Sequence, residues 1–357
     1  MSLRSRLATV ISNRKYDMFL IPNGGIQEFG ASFAQGVVQG LSCISFEMVS
    51  NVNEKVLFSK QLPFADLDTE NAWKTDPGHS LTKEQGQEIS RLINDVDGEA
   101  YWKTTFRRLQ HTGKLSPIEL MRRRNLGPGR RIALLCPNTG WDSTSLHRDT
   151  FFGSIKDWVT STVDFFSRHP EHDLRIRMHP AEAMTNSEEK VAEYLGRRFN
   201  PLPENLHIVE STSDINTYGL MYLSHLGLVY TSPSGLEMSM RGLPTVVAAR
   251  AHYAGKGFTI DPTSRREYFE SLEKALTQPD KPELSRRELE LAWCYVHMYL
   301  IEMRLDFPWA CGRMREKLNT WPINKVLSDQ GWAKFGRTFA ILTGKISTKP
   351  GMVARPK

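Results

Sequence analysis

The sequence predicts an α/β protein, with a doubly wound parallel sheet in its second half and a shorter β-α-β unit in its first. Two observations predict this. From Arg131 to Ala249, apolar runs of strand length alternate repeatedly with stretches of helical spacing, the order that parallel pairing requires. Near the start, Tyr16–Pro22, Glu28–Gln39 and Leu41–Glu47 follow the same order once, about half of a doubly wound domain. The 357 residues suffice for two domains with substantial cores.

In the first half, the opening strand ends in the turn Asn23-Gly24-Gly25, and Gly40 closes the helix after it. Residues 51–80 carry Asp, Pro and Gly without periodicity and read as a loop. Leu81–Arg108 and Ser116–Asn125 read as helices, the second with Ser116 as N-cap and Pro117 at its first position. Arg131–Cys136 is a strand that exits through Pro137–Asp142. Phe152, Ile155, Trp158, Val159, Val163 and Phe166 give helical spacing over 151–168. Leu174–Met178 alternates as a strand and delivers His179-Pro180 to its carboxyl end. Arg175 and Arg177 share one face of that strand; solvent is the expected destination, and one could reach a cleft. Helix at Ser187–Phe199, strand at Leu206–Val209 and helix at Ile215–Ser224 lead on to the central stretch.

That stretch, Leu226–Phe258, opens with a buried strand, Leu226–Tyr230. The turn Thr231-Ser232-Pro233-Ser234-Gly235 follows, then a short helix closed by Gly242, a second strand at Leu243–Ala249, and the loop His252–Phe258. Strand, hydroxyl-rich turn and helix start is an arrangement that holds a phosphate, through free helix N–H groups and Ser or Thr hydroxyls. The plainer alternative is that Ser232 and Ser234 only cap a helix. Beyond the stretch, Ser285–Leu305 reads as a long packing helix. Leu318–Lys357 reads as a basic tail with interleaved aromatics, among them Trp321, Trp332, Phe335 and Phe339.

The composition is that of a globular chain, with no apolar run near ~20 residues and no signal-peptide pattern at Met1–Arg14. Cys43, Cys136, Cys294 and Cys311 are far apart, which fits a reduced cytoplasmic setting without structural zinc. The net charge of +6 fits an anionic partner: nucleotide phosphate, nucleic acid or a membrane surface. No zinc-finger or RNA-recognition pattern is present, so nucleic acid is not expected. Asp66-Leu67-Asp68 and Asp95-Val96-Asp97 have the D-x-D form that can hold a metal against a diphosphate, but they read as loop and helix-end acids, and no metal is expected.

His179, Asn138–Asp142, Ser232–Ser234 and His252–Lys256 all fall at strand carboxyl ends, where open parallel sheets bind ligands. An imidazole N–H can donate to a leaving phosphate, with the hydroxyls and the helix start at Gly235 supplying other donors. Glu237 either accepts ribose hydroxyls or favours the helix N-terminus. Lys256, between two glycines in a loop read as exposed, is a mobile phosphate contact or a surface lysine.

The same residues carry a resemblance. LRIRMHPAE (174–182), YTSPSGLEMSM (230–240), GLPTVV (242–247) and HYAGKGFTIDP (252–262) resemble the bacterial capsule-polysaccharide glycosyltransferases, the group that includes the Kdo (3-deoxy-manno-octulosonate) transferases. PNTGWD (137–142), PNGGIQE (22–28), Phe46-Glu47 and Asp214-Ile215-Asn216 extend the similarity over 16–269. The resemblance implies a GT-B-type fold of two Rossmann-like domains, the N-terminal one shortened: 1–115 on the acceptor side, 116–284 for the nucleotide, and 285–357 as C-terminal helix and tail. It implies transfer of a sugar from a nucleotide donor, CMP-Kdo among the candidates, to a surface polysaccharide or glycolipid. His179, Ser232 and Ser234 would bind the phosphate, and Glu28, Glu47 or Asp142 would act on the acceptor. No separate cofactor is implied. A CDP-glycerol-type phosphotransferase and a non-catalytic partner in a synthesis complex are the rival readings. The expected location is the cytoplasm, or the cytoplasmic face of the inner membrane if the basic tail engages anionic lipid.

Overall fold

The computed structural model describes residues 16–47, 55–60, 63, 69–75, 80–94, 130–139, 145, 147–179, 182, 190–213, 215–309 and 318–345. The chain divides into two compact units, residues 1–104 with 295–357, and residues 105–294.

The first unit starts with β1 (Met18–Pro22), α1 (Gln27–Val38), β2 (Ser42–Glu47), β3 (Lys55–Lys60), α2 (Glu70–Thr75) and α3 (Lys83–Asn94). The second contains β4 (Arg131–Cys136), α4 (Ile155–Ser167), β5 (His172–Arg177), α5 (Val191–Arg198), β6 (Leu206–Val209), α6 (Thr217–Leu223), β7 (Leu226–Val229), α7 (Ser234–Ser239), β8 (Thr245–Val247) and α8 (Arg265–Thr277). Then α9 (Arg286–His297) runs into a π-turn at Met298–Glu302. After it, β9 (Leu305–Asp306), α10 (Ile323–Val326) and α11 (Asp329–Leu342) belong to the first unit again.

The first sheet has the order β1-β2-β3-β9. Its β1–β2 pair is parallel around α1, as the β-α-β reading requires, while β3 and β9 join antiparallel. The stretch read as a loop over 51–80 therefore contains β3 and α2. Its signal was short, because only Val56-Leu57-Phe58 is apolar between the polar ends of the strand, yet Val56–Ser59 are all buried once strands pair on both sides.

Residues 285–357 do not form a separate helix and tail. Leu305, Phe307, Ile341 and Leu342 share one core with Ile44, Phe46, Val56 and Phe58. Phe335, whose ring meets Trp321 edge-on at 4.9 Å, anchors a satellite cluster with Val326. The interleaved aromatics of this segment are thus largely spent on packing.

The second sheet is five-stranded and wholly parallel, in the order β6-β5-β4-β7-β8, as expected for a doubly wound domain. Helices flank it, and α4 buries Trp158, Val159, Val163 and Phe166 against Leu174, Ile176, Leu228 and Tyr230. The spacing from Phe152 predicts this face, but Ser154 caps the helix through the Asp157 N–H, so Phe152 packs ahead of its first turn. Arg175 and Arg177 are buried, not solvent-facing, because β5 lies between β4 and β6. Arg177 Nε donates to Thr217 Oγ1 at 3.2 Å and Nη1 to the Glu210 carbonyl.

At the amino end of this sheet, the Ile132 N–H donates to His225 Nδ1 at 3.1 Å, which needs a neutral imidazole there. Burial, aided by Arg131 and Lys281, pushes His225 down to about 4 from the usual 6.5. Between those values the unfolded chain binds a proton that the folded chain refuses, so stability declines as pH falls from 6.5 towards 4. Urea midpoints at about pH 7.5 and about pH 5 should show this, and His225→Asn, which keeps an acceptor for the N–H, should flatten the decline.

Candidate functional site

In the second sheet β4 comes first in sequence; β5 and β6 extend to one side, β7 and β8 to the other. The order reverses between β4 and β7, and ligands of such sheets bind beyond the carboxyl ends at that switch point. The residues leaving these two strands are polar and buried: Asn138 and Thr139 after β4, Thr231 and Ser232 after β7. Asn138 Oδ1 accepts the Thr231 N–H at 3.1 Å, which locks the two exits together. His179 leaves the neighbouring strand β5 half-buried, and its carbonyl accepts the Glu182 N–H at 3.0 Å.

Thr231 Oγ1 is fully buried and has no hydrogen-bond partner among the described residues. An unsatisfied buried hydroxyl costs about 1–3 kcal/mol.

The helix start differs from expectation. α7 has only six residues, and its first N–H groups are taken up within the turn. Ser234 N–H donates to Ser232 Oγ at 3.3 Å, Gly235 N–H to the Ser232 carbonyl at 3.0 Å, and Leu236 and Glu237 N–H to the Pro233 carbonyl. These first N–H groups of α7 are therefore not free to hold a phosphate. Ser234 is buried and its hydroxyl meets the Cys136 thiol, whose pKa burial pushes up to about 12. Glu237 is also buried, near Cys136 and Tyr253.

Tyr253 fastens the turn from above, its hydroxyl donating to the Ser232 carbonyl. It stands so close to Gly235 that a Cβ there would lie 2.4 Å from the phenol oxygen and 2.8 Å from Val229 Cγ2. Gly235 is thus required by close approach. In the sequence neither Thr231 nor Tyr253 stands out: the first is one hydroxyl among several, the second an aromatic in a loop of mixed character.

Lys256 corrects another expectation. It is only 5% exposed, in a loop whose flanking Gly255 and Gly257 have φ of +70° and +88°. Gly255 N–H and Thr259 Oγ1 both donate to the Asp261 carboxylate, at 2.9 Å and 2.8 Å. Burial raises the Asp261 pKa, and these donors and the Lys256 charge offset part of that. Burial, with Arg148 and Lys256 nearby, pushes His252 down to about 3 and keeps it neutral. Lys256 is thus packed into the loop and not a surface lysine.

Of the candidate acids, Glu28 is exposed in the first turn of α1. Glu47, half-buried at the end of β2, accepts the Asn23 Nδ2–H at 3.1 Å. Asn23 has φ +57° and its Oδ1 takes the Gly25 N–H, so the Asn-Gly-Gly turn presents its amide to that carboxylate. Asp142 and both D-x-D pairs lie outside the described residues. Among the described residues, no group of His, Cys, Asp or Glu is placed to hold a metal ion, and no helix is long and apolar enough to cross a membrane.

No protein-family model and no curated protein matches the chain. Among solved structures it is similar to KpsC beta Kdo 2,4 transferase of Thermosulfurimonas dismutans, with 16% identity and a TM-score of 0.47 over 77% of this chain and 78% of that one. The KpsC beta Kdo 2,7 transferase of the same organism gives 14% and 0.45 over 82% and 80%. A UDP-GlcNAc 2-epimerase from Neisseria meningitidis bound to UDP-GlcNAc gives 13% and 0.37 over 84% and 80%. Stated from its own sheets, the chain is α/β, with one doubly wound parallel sheet and one mixed sheet that keeps a single parallel β-α-β pair.

Proposed function

We propose that the second unit binds a nucleotide sugar and that the chain is a GT-B-type glycosyltransferase. The leading donor is CMP-Kdo and the leading acceptor a capsular or other surface polysaccharide. The observation that carries the reading is the switch point between β4 and β7, where Asn138, Thr231 and Ser232 meet and a buried Thr231 hydroxyl lacks a partner among the described residues. When a sugar leaves a nucleotide, negative charge grows on the phosphate. Fixed donors aimed at that charge lower the barrier. His179, Thr231 and Ser232 are the side chains we assign to it, with Gly235 and Ser234 shaping the turn and Glu237 and Lys256 fixing the field around it. A carboxylate must take the proton of the attacking acceptor hydroxyl, and Glu28, Glu47 and Asp142 are the candidates.

Calorimetric titration of CMP, CDP, UDP and GDP in EDTA tests the reading. CMP should bind tightest, and without a divalent ion. Tighter UDP binding would remove the CMP-Kdo donor, and loss of CMP binding in EDTA would point to Asp66 and Asp68. Product mass then separates an added sugar from an added glycerol phosphate, and binding without turnover would identify a non-catalytic partner.

Membrane association is part of the proposal in a narrower form. Trp321 and Phe335 are buried, but Leu318, Ile323, Leu327 and Trp332 are exposed within one short segment that also carries Lys325, Lys334 and Arg337. Each cation near an anionic surface adds about 1 kcal/mol. The chain should sediment with anionic but not neutral vesicles, and Leu327→Ser with Trp332→Ser should abolish this.

A further inference from the structure

A cavity of about 410 Å³ opens in the second unit beside α6 and the end of α7. It lies on the amino-terminal side of the sheet, away from His179 and Ser232: Gly242 and Leu243 precede β8, and Tyr222 precedes β7. Its size is that of a small-molecule site, roughly 300–1,000 Å³.

Its walls pair cations with aromatic rings. The Arg241 guanidinium sits 4.0 Å from the Tyr218 ring centre, and its Nη1 donates to the Glu237 carbonyl at 3.0 Å. Lys281 Nζ lies 5.4 Å from the Tyr222 ring centre and donates to the Tyr222 carbonyl at 2.6 Å. Both cations are exposed, each with one hydrogen bond and donors to spare, and neither forms an ion pair among the described residues. Lys281 and Glu283 are both exposed and stand on the same wall. Tyr222 is 71% exposed, a large aromatic residue left in water at the cavity rim.

We propose that this cavity binds a carboxylate-bearing sugar residue of an acidic polysaccharide. Arg241 offers a planar fork to the carboxylate, Lys281 adds a point charge, and Tyr222 offers a ring to the C–H face of the sugar. A bare phosphate would use the cations and leave the ring idle; a neutral sugar would do the reverse. That the polysaccharide is an acceptor or product rests on the glycosyltransferase reading, whereas recognition of the acidic sugar does not.

Tetragalacturonate, maltotetraose and inorganic phosphate, each titrated into the full chain, test this. Tetragalacturonate should bind at least about tenfold tighter than either of the others. Tyr222→Ala and Lys281→Gln should each weaken it about tenfold, with the melting temperature and CMP affinity unchanged. No tetragalacturonate binding, equal binding of maltotetraose or phosphate, or indifference to both substitutions would overturn the proposal. CMP affinity reports separately on the other end of the sheet. CMP binding without tetragalacturonate binding sinks this inference alone, and the converse sinks the nucleotide reading alone.

Discussion

His179→Ala is expected to weaken CMP binding by about 10- to 150-fold, because a hydrogen bond to a charged group contributes about 1.5–3 kcal/mol and each decade of affinity is about 1.4. The local backbone should survive the change, since the bond from the Glu182 N–H goes to the residue 179 carbonyl and not to the ring. His179→Gln, which keeps an N–H donor, should recover part of the loss. If His179 is only structural, alanine will lower the melting temperature and leave CMP affinity in the folded fraction intact. Calorimetry combined with a thermal melt separates the two outcomes.

Gly235→Ala should harm both stability and binding. The added methyl would lie 2.4 Å from the Tyr253 phenol oxygen and 2.8 Å from Val229 Cγ2, and both residues are buried, so neither can swing aside. Overpacking of this kind costs about 1–3 kcal/mol, or a fall in melting temperature of about 2–4 °C per kcal/mol for a domain of this size. If Tyr253 is displaced, the Ser232 carbonyl keeps the Gly235 N–H but loses the phenol, and the turn carrying Ser232 shifts. Tyr253→Phe in the Gly235→Ala background should then restore part of the melting temperature, the Val229 contact remaining, but not CMP affinity. Unchanged melting and binding in Gly235→Ala would show that the turn tolerates the methyl.

The parallel sheet of the second unit was legible because β4, β7 and β8 are near-continuous apolar runs, β5 alternates, and helical spacing separates them. β3 and β9 were not, for opposite reasons. β3 has three apolar residues between lysines, and β9 is two residues long after a helix that ends in a π-turn. Both exist through pairing partners remote in sequence, which no local pattern can encode. The strand-end residues of the site were also legible, since strand length fixes where carboxyl ends fall. What they touch was not: burial of Lys256, the engaged N–H groups of α7 and the orphaned hydroxyl of Thr231 all depend on how loops fold back over the sheet.

The pairing of β3 with β9 bears on how the chain is made. Val56 meets Leu305, about 250 residues later, whereas the second unit is a single uninterrupted stretch. As the polypeptide leaves the ribosome, residues 105–294 can complete their sheet while the first unit still lacks a strand and the Ile341–Leu342 side of its core. Until that strand arrives, the β3 edge is bare, with Val56 and Phe58 beside it. The unit whose first strands emerge before the second unit is therefore the one that matures after it, and newborn chains are most open to mispairing with one another during that interval.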